Sequence, residues 1–188
     1  IKAFDPTHKL TADEEHKLFS AAIQAPTSFN IQHWRFVVIR DPQLREQVKV
    51  LGNQKAQITD ASLLVLMTAD TQAWAKEPQR YWKDAPKEVG DLLVGWMGPF
   101  HQGREWLQRD EAQRSIGMAM QTLMLAAKSM GYDSCPMIGF DIEKVAELVK
   151  LPADHVMGPL VAIGRGVKPA QAKGGQLDLS DVLIENTF

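Results

Sequence analysis

Residues 25–39 read APTSFNIQHWRFVVI, and they place Thr27, Ser28, Asn30, Gln32 and His33 in one short joint. Hydroxyl, amide and imidazole groups gathered this closely are either the satisfied hydrogen bonds of a turn or the rim of a binding site. A second stretch, Cys135-Pro136-Met137-Ile138-Gly139-Phe140-Asp141, reads as a Pro/Gly turn entering a helix. Gly139 lets a flat ligand approach the backbone, and free N–H groups near a helix start can serve an electron-rich atom. A third feature is basic: Lys2 and Lys173 stand near the two chain ends, with Arg165 and Lys168 close to the latter. Each feature alone is weak, because a charge cluster is usually a solvated face and a Pro/Gly turn is usually only a turn.

Other chemistries lack their residues. No G-x-G-x-x-G follows a strand, and neither a P-loop nor a G-x-S-x-G nucleophile elbow occurs. His8, His16, His33, His101 and His155 show no metal-ligand spacing, and a single cysteine cannot complete a zinc site, so no metal is expected. A Cys135–His catalytic pair is the minor alternative to a small, buried, apolar Cys135. The 188 residues are 45% hydrophobic, enough for one sizeable core and one domain spanning 1–188. A net charge of −2 predicts neither a nucleic-acid groove nor a membrane surface. One cysteine allows no internal disulfide, which fits a reducing, cytoplasmic setting. No apolar run is long enough to span a bilayer. The chain begins at Ile1 without a Met, so residues before it, and any targeting segment among them, are expected to be missing.

The elements that must position these groups follow from pattern. Thr11-Ala-Asp-Glu14 is a capping-box signal, and the helix it opens ends near Pro26. Arg35–Ile39 reads as a strand, and Asp41-Pro42 starts a helix that runs to about Leu51. Ser62–Thr68 is a continuous apolar run, the pattern of a buried strand. Residues 70–106 hold four of the five Trp and three Pro, and read as short helices in an excursion that lids a site or packs as a satellite. About 110–130 is the clearest helix, with Ile116, Ala119, Met120, Leu123, Ala127 and Met130 at helical spacing and Gly131 as the stop. That face is either a core stripe or a Met-rich subunit contact. Asp141 caps another helix, expected to reach Leu151-Pro152, and Leu160–Ile163 is a last core strand. The apolar tail LDLSDVLIENTF either folds back or reaches a second chain. Helices and strands mix without strict alternation, which predicts an α+β fold.

Taken together, the motifs resemble the FMN-dependent nitroreductase family. Its signature is carried by Pro26-x-Ser28-x-Asn30-x-Gln32-x-Trp34 with Arg35-Phe36-Val37-Val38, and by the run from Asn53 to Ser62. It continues through Arg109-Asp110-Glu111 to Leu125-Ala126-Ala127, Gly131-Tyr132 and Pro136–Asp141, and ends at Gly174-Gly175-Gln176-Leu177-x-Leu179. The resemblance covers almost the whole chain and is nearest to the quinone- and nitro-reducing branch. It implies a nitroreductase-like fold, a central, mainly antiparallel sheet flanked by helices. It also implies a homodimer in which the arm at about 165–188 crosses to the partner, with two FMN sites at the interface.

Residue by residue, the resemblance implies that Pro26, Thr27, Ser28, Asn30 and Gln32 contact the flavin of the partner's site. Gln54 and Asn53 address the pyrimidine edge. Pro136, Met137, Ile138 and Gly139 lie along the isoalloxazine, with the Ile138 or Gly139 N–H donating to N5. Lys2 is what remains here of an Arg-x-Ser/Thr-x-Arg/Lys run, and stands near N1/O2 of the flavin. Lys173 meets the phosphate, with Arg165 as the alternative. His33 stands where many relatives have Pro, and is expected at the surface without a role. The implied activity is ping-pong transfer of hydride from NAD(P)H to nitroaromatic or quinone acceptors, with no side-chain catalyst beyond the flavin. The competing readings are a flavin store or sensor with little turnover, and a flavin-cleaving or dehalogenating relative.

Overall fold

All eight residues of one strand are buried, and the sheet is built around it. The computed structural model describes residues 1–188. In chain order the elements are α1 (Ala12–Ala22), β1 (Trp34–Val38), α2 (Pro42–Leu51), α3 (Gln57–Asp60) and β2 (Leu63–Asp70). Then come α4 (Lys87–His101), α5 (Glu105–Ser129), β3 (Asp133–Met137), α6 (Ile142–Leu148), β4 (His155–Gly164) and α7 (Leu179–Val182). The four strands lie in the order β1-β2-β4-β3, and all three pairings are antiparallel. This is the α+β architecture that the pattern predicts, an antiparallel sheet flanked by helices.

The alternation of β2 divides the interior in two. Leu63, Val65, Met67 and Ala69 face a core shared with α1 and α5, where Ile116, Ala119, Leu123 and Ala127 pack. Leu64 and Leu66 face the opposite core with Val48 of α2, Ile58 of α3 and Val145 of α6. Because successive strand residues point to opposite faces, a strand covered on both sides must be apolar throughout, which is why the run reads as continuous rather than alternating.

The helix starts follow their signals. Thr11 Oγ1 accepts from the Glu14 N–H at 3.2 Å while the Glu14 carboxylate accepts from the Thr11 N–H at 2.8 Å, so both halves of the capping box form. Asp41 caps α2 at the Gln43 N–H (2.8 Å) and Asp141 caps α6 at the Lys144 N–H (3.1 Å). Arg45 of α2 is buried without a carboxylate. It donates instead to the carbonyls of Ile39 (2.8 Å) and Ala61 (2.6 Å), tying α2 to the ends of β1 and α3.

Several expected elements differ. The excursion holds two short 3-10 helices, Ala73–Ala75 and Pro78–Trp82, as expected, but they lead into a single longer helix, the 15-residue α4. Pro99 lies inside α4, where it forgoes only one intrahelical bond in the last turn. α5 begins five residues before the expected start, at Glu105, because Gly103 at φ +69° breaks the chain between the two helices. α6 stops at Leu148 rather than reaching Leu151. The stretch read as a turn at Pro136 is in fact β3, an edge strand in which Pro136 opposes Val161. An edge position tolerates a residue without an N–H. β4 starts at His155, five residues before the expected strand, because its Gly158-Pro159 sits at a bulge where the register slips between Leu66 and Thr68.

At that bulge α5 crosses close to the sheet. A Cβ on Gly158 would lie 2.6 Å from Ile116 Cγ2 and 3.2 Å from the Met67 carbonyl oxygen. Gly158→Ala is therefore expected to destabilise the chain by about 1–3 kcal/mol through overpacking, measured by urea unfolding. Gly117→Ala, whose Cβ would meet nothing within 4 Å inside α5, serves as the clash-free control and is expected to stabilise by about 0.5–1 kcal/mol.

Candidate functional site

The motif residues fall into two groups on opposite edges of the sheet. The first gathers at the β3 edge. The loop after α2 places Asn53 and Gln54 in the left-handed region, at φ 57° and 56°. It meets the turn after β3: Asn53 Nδ2 donates to the Gly139 carbonyl at 3.3 Å, Lys55 Nζ donates to the same oxygen at 2.5 Å, and the Asp141 N–H donates to the Leu51 carbonyl at 3.0 Å. With its carbonyl fixed, Gly139 sits in a cradle where a Cβ would be 3.3 Å from Lys55 Nζ. The N–H groups of Ile138 and Gly139 donate to no backbone carbonyl. The Ile138 side chain is 57% exposed, whereas that of Met137 is buried in the core, so Met137 can offer only its backbone.

The N-terminal segment joins this edge. Phe4 bridges Gly166, the Asp5 N–H donates to the Arg165 carbonyl at 2.9 Å, and the Ile1 ammonium meets the Ser134 carbonyl at 3.3 Å. The pairing is antiparallel, so Lys2 and Arg165 stand at exposed positions on opposite sides of the Phe4–Gly166 bridge, while Phe4 packs with Met137 and Phe140 underneath. Lys173 does not join them. It lies in the exposed arm, and its ammonium meets only Gln176, at 3.1 Å.

The second group is the joint before β1. Ser28–Asn30 form a 3-10 turn, and Phe29, Asn30 and Gln32 adopt φ of 49°, 55° and 53°. Three left-handed non-glycine residues in four positions are strained backbone, of the kind that collects at ligand sites. The joint is braced from within and from the excursion: the Gln32 N–H donates to Thr27 Oγ1 (3.0 Å), Asn30 Nδ2 to the Tyr81 carbonyl (2.7 Å), and Trp82 Nε1 to the Phe29 carbonyl (3.1 Å). Ile31 is buried with Ala73, Tyr81 and Met97, so the excursion sits on the joint. Ser28 Oγ is buried with no partner. Pro26 is exposed at the turn's entry. Trp34 is buried in the main core, anchoring the strand as expected.

The excursion's root is held by charge. Asp70, Asp154 and His155 converge, with ligand atoms within 4.8 Å of one another. The Lys76 ammonium sits 2.7 Å from each aspartate and supplies the positive charge that the carboxylates need. This contact is the main reason the Asp154 pKa falls to about 2.

The sequence profile of the nitroreductase family matches residues 1–165. This chain belongs to the nitroreductase family. Protein DrgA of a Synechocystis strain is 65% identical over 92% of the chain and 82% of its own length. A candidate NAD(P)H:FMN oxidoreductase from Staphylococcus epidermidis superposes with a TM-score of 0.90 at 27% identity, covering 98% of this chain and 90% of that one. A candidate nitroreductase from Exiguobacterium sibiricum, solved in complex with FMN, superposes with a TM-score of 0.89 at 25% identity, covering 98% and 91%. As a member of the family the chain is an FMN-dependent oxidoreductase. Its residues fit that cofactor. The orphaned Ser28 hydroxyl and the unspent N–H groups of Ile138 and Gly139 are donors without work, and Lys2 and Arg165 offer exposed positive charge.

Sequence reasoning missed Lys55 and misplaced His33. Lys55 follows two left-handed residues, and only the turn of the loop shows that its ammonium reaches Gly139. His33 is not a surface residue. It is 0% exposed, because it turns inward toward α5, where Nδ1 lies 3.0 Å from Ser115 Oγ. Burial, then His101, push its pKa down to about 4 against the opposing pull of Glu111 and Asp70. The folded chain therefore holds this imidazole neutral while the unfolded chain takes up its proton near pH 6.5. The stability this contributes is complete above about pH 6.5 and is lost as pH falls toward 4, by up to roughly 3 kcal/mol. Urea unfolding between pH 7 and pH 4 should show that slope, and His33→Phe should flatten it.

Proposed function

We propose that this enzyme passes reducing equivalents from NAD(P)H to nitroaromatic or quinone acceptors by a ping-pong cycle, on FMN held between two copies of the chain. The observation that carries this reading is the separation of the two half-sites. β1 and β3 are the two edges of the sheet, three strand spacings or about 14 Å apart, and each edge presents donors that its own chain leaves unspent. A second copy is the simplest way to bring Ser28 of one chain to Gly139 of the other. The description of the S. epidermidis relative as an NAD(P)H:FMN oxidoreductase supports the reductant, and the FMN complex of the E. sibiricum relative supports the cofactor.

Bound FMN supplies the redox chemistry, accepting hydride from the nicotinamide and yielding it to the acceptor. The chain's residues bind and orient. Ile138 and Gly139 would offer N–H donors to the ring, and the bare Cα of Gly139 admits a flat ring against the backbone. Lys55 and Asn53 hold the Gly139 carbonyl, which fixes the direction of the adjoining peptide planes. Lys2 would place positive charge where the reduced ring is electron-rich. Arg165 and Lys173 would meet the phosphate, Lys173 once the arm is docked. From the partner, Pro26, Thr27, Ser28, Asn30 and Gln32 would close the site, with Gln54 and Asn53 at the pyrimidine edge.

The arm supports the two-chain reading. Residues 170–188 are all exposed, with Leu177, Leu179, Val182, Leu183, Ile184 and Phe188 among them. Six large apolar side chains in solvent on one short tail are a poor end state for a monomer and a natural interface.

Two outcomes are expected. In stopped-flow mixing, NAD(P)H should bleach the bound flavin within seconds, and a quinone or nitroaromatic should restore it; flavin that stays oxidised would make the protein a store. Deleting residues 168–188 should convert a dimer to a monomer in analytical ultracentrifugation and strip the FMN. A truncated chain that stays dimeric and yellow would refute the arm's role.

A further inference from the structure

Four buried side-chain polar atoms have no hydrogen-bond partner: Ser28 Oγ, His33 Nε2, Trp74 Nε1 and His101 Nε2. All four belong to the joint or to the excursion that covers it. Ser28 is accounted for by the cofactor reading. The other three form a set of their own.

Their hydrogen-bond roles can be assigned. Ser115 Oγ is 2.8 Å from the Glu111 carbonyl, which can only accept, so the Ser115 hydrogen is spent there. Ser115 Oγ must then accept from His33, which places the His33 proton on Nδ1. His101 Nδ1 is 2.8 Å from the Met97 carbonyl, so His101 also carries its proton on Nδ1. Both rings therefore present a bare Nε2 lone pair inside the protein. Trp74 Nε1–H is a bare donor, on a ring stacked against His101 at 5.5 Å and 11°.

The two histidines are tethered to one face of α5. Gln108 Nε2 donates to the His101 carbonyl at 2.8 Å, and Ser115, two turns further along, holds the His33 ring. Between them on that face is Ala112, fully buried. Phe29 of the joint packs edge-on against His101 at 5.9 Å. Two acceptors and one donor are what a single water satisfies, with two O–H groups and one lone pair.

We propose that one water is sealed between His33 and His101, donating to both Nε2 atoms and accepting from Trp74 Nε1, and that this bridge clamps the excursion onto the joint carrying Ser28, Asn30 and Gln32. His33 and His101 are then positioning residues for the flavin ligands, and this part rests on the function proposed above. Protonating either imidazole turns an acceptor into a donor and breaks the bridge. Burial is the largest influence and opposes that proton on both rings. On the His33 ring, His101 and Arg35 also oppose it while Glu111 and Asp70 favour it; on the His101 ring, the Met97 carbonyl and Glu111 favour it.

The test labels histidine with 15N in the full-length protein and reads both rings at pH 7, with and without added FMN. The expected spectrum shows two Nδ1–H tautomers whose Nε2 shifts are those of hydrogen-bonded acceptors. In His33→Phe the His101 Nε2 shift should then move, because its water has lost a partner. Unbonded Nε2 shifts in the wild type, or a His101 signal indifferent to His33, would overturn the bridge. Because these signals are read without cofactor as well, they judge the bridge even if the chain retains no FMN. The clamp is judged by FMN affinity: His33→Phe and His101→Phe should each weaken binding by about tenfold, and the double variant by no more than either. Independent, multiplying losses would sink the clamp. A pair of variants that leaves FMN affinity unchanged would do the same.

Discussion

Burial of β2 on both faces is the constraint on which the rest of the molecule depends. A strand with no solvent on either side must find every hydrogen bond within the sheet, so β1 and β4 are obligatory neighbours. Its alternating side chains then demand two separate cores, one supplied by α1 and α5, the other by α2, α3 and α6. With the centre of the sheet committed to stability, only the edges and the loops leaving them are available for chemistry. The candidate site residues lie on the sheet's edges, in loops and in the terminal segments, none of them inside β2.

The two edges are built differently. At β3 a Pro-containing strand ends in a glycine turn whose carbonyl is held by Lys55 and Asn53, while the N–H groups of Ile138 and Gly139 donate to no backbone carbonyl. At β1 the joint is held in left-handed backbone by contacts with the excursion, and its stability is therefore borrowed from α4 and from the 3-10 turns. The first half-site is rigid because it belongs to the sheet. The second is only as rigid as the packing above it, which is why the buried histidines matter. They sit at the point where α4, α5 and the joint meet.

Much was legible along the chain. The capping box at Thr11, the Asp41-Pro42 start, the apolar run that becomes β2 and the stripe on α5 are local patterns, and each forms where its residues place it. What misled were residues whose usual meaning is local but whose role here is set by neighbours. Pro136 reads as a turn, yet it lies on a sheet edge where it is tolerated, and the last strand, expected from Leu160, begins at His155 because Gly158-Pro159 sits at a bulge. His33 reads as a surface residue in a polar joint, and becomes a buried one because Ser115, far away in sequence, offers an acceptor.

The sequence by itself determined the element types, the two-faced burial of the central strand and the residue classes at the site, because caps, periodicity and apolar runs act over a few residues. Its ordered motifs also pointed to the family. Only the tertiary structure decided which motifs meet. It brought Asn53 and Lys55 to Gly139, and the N-terminal segment at Phe4 to Gly166, while leaving Ser28 and Asn30 on the far edge. The physical reason is that strand order is a property of how the elements pack, and no local pattern in the chain records which edge of the sheet a strand will occupy.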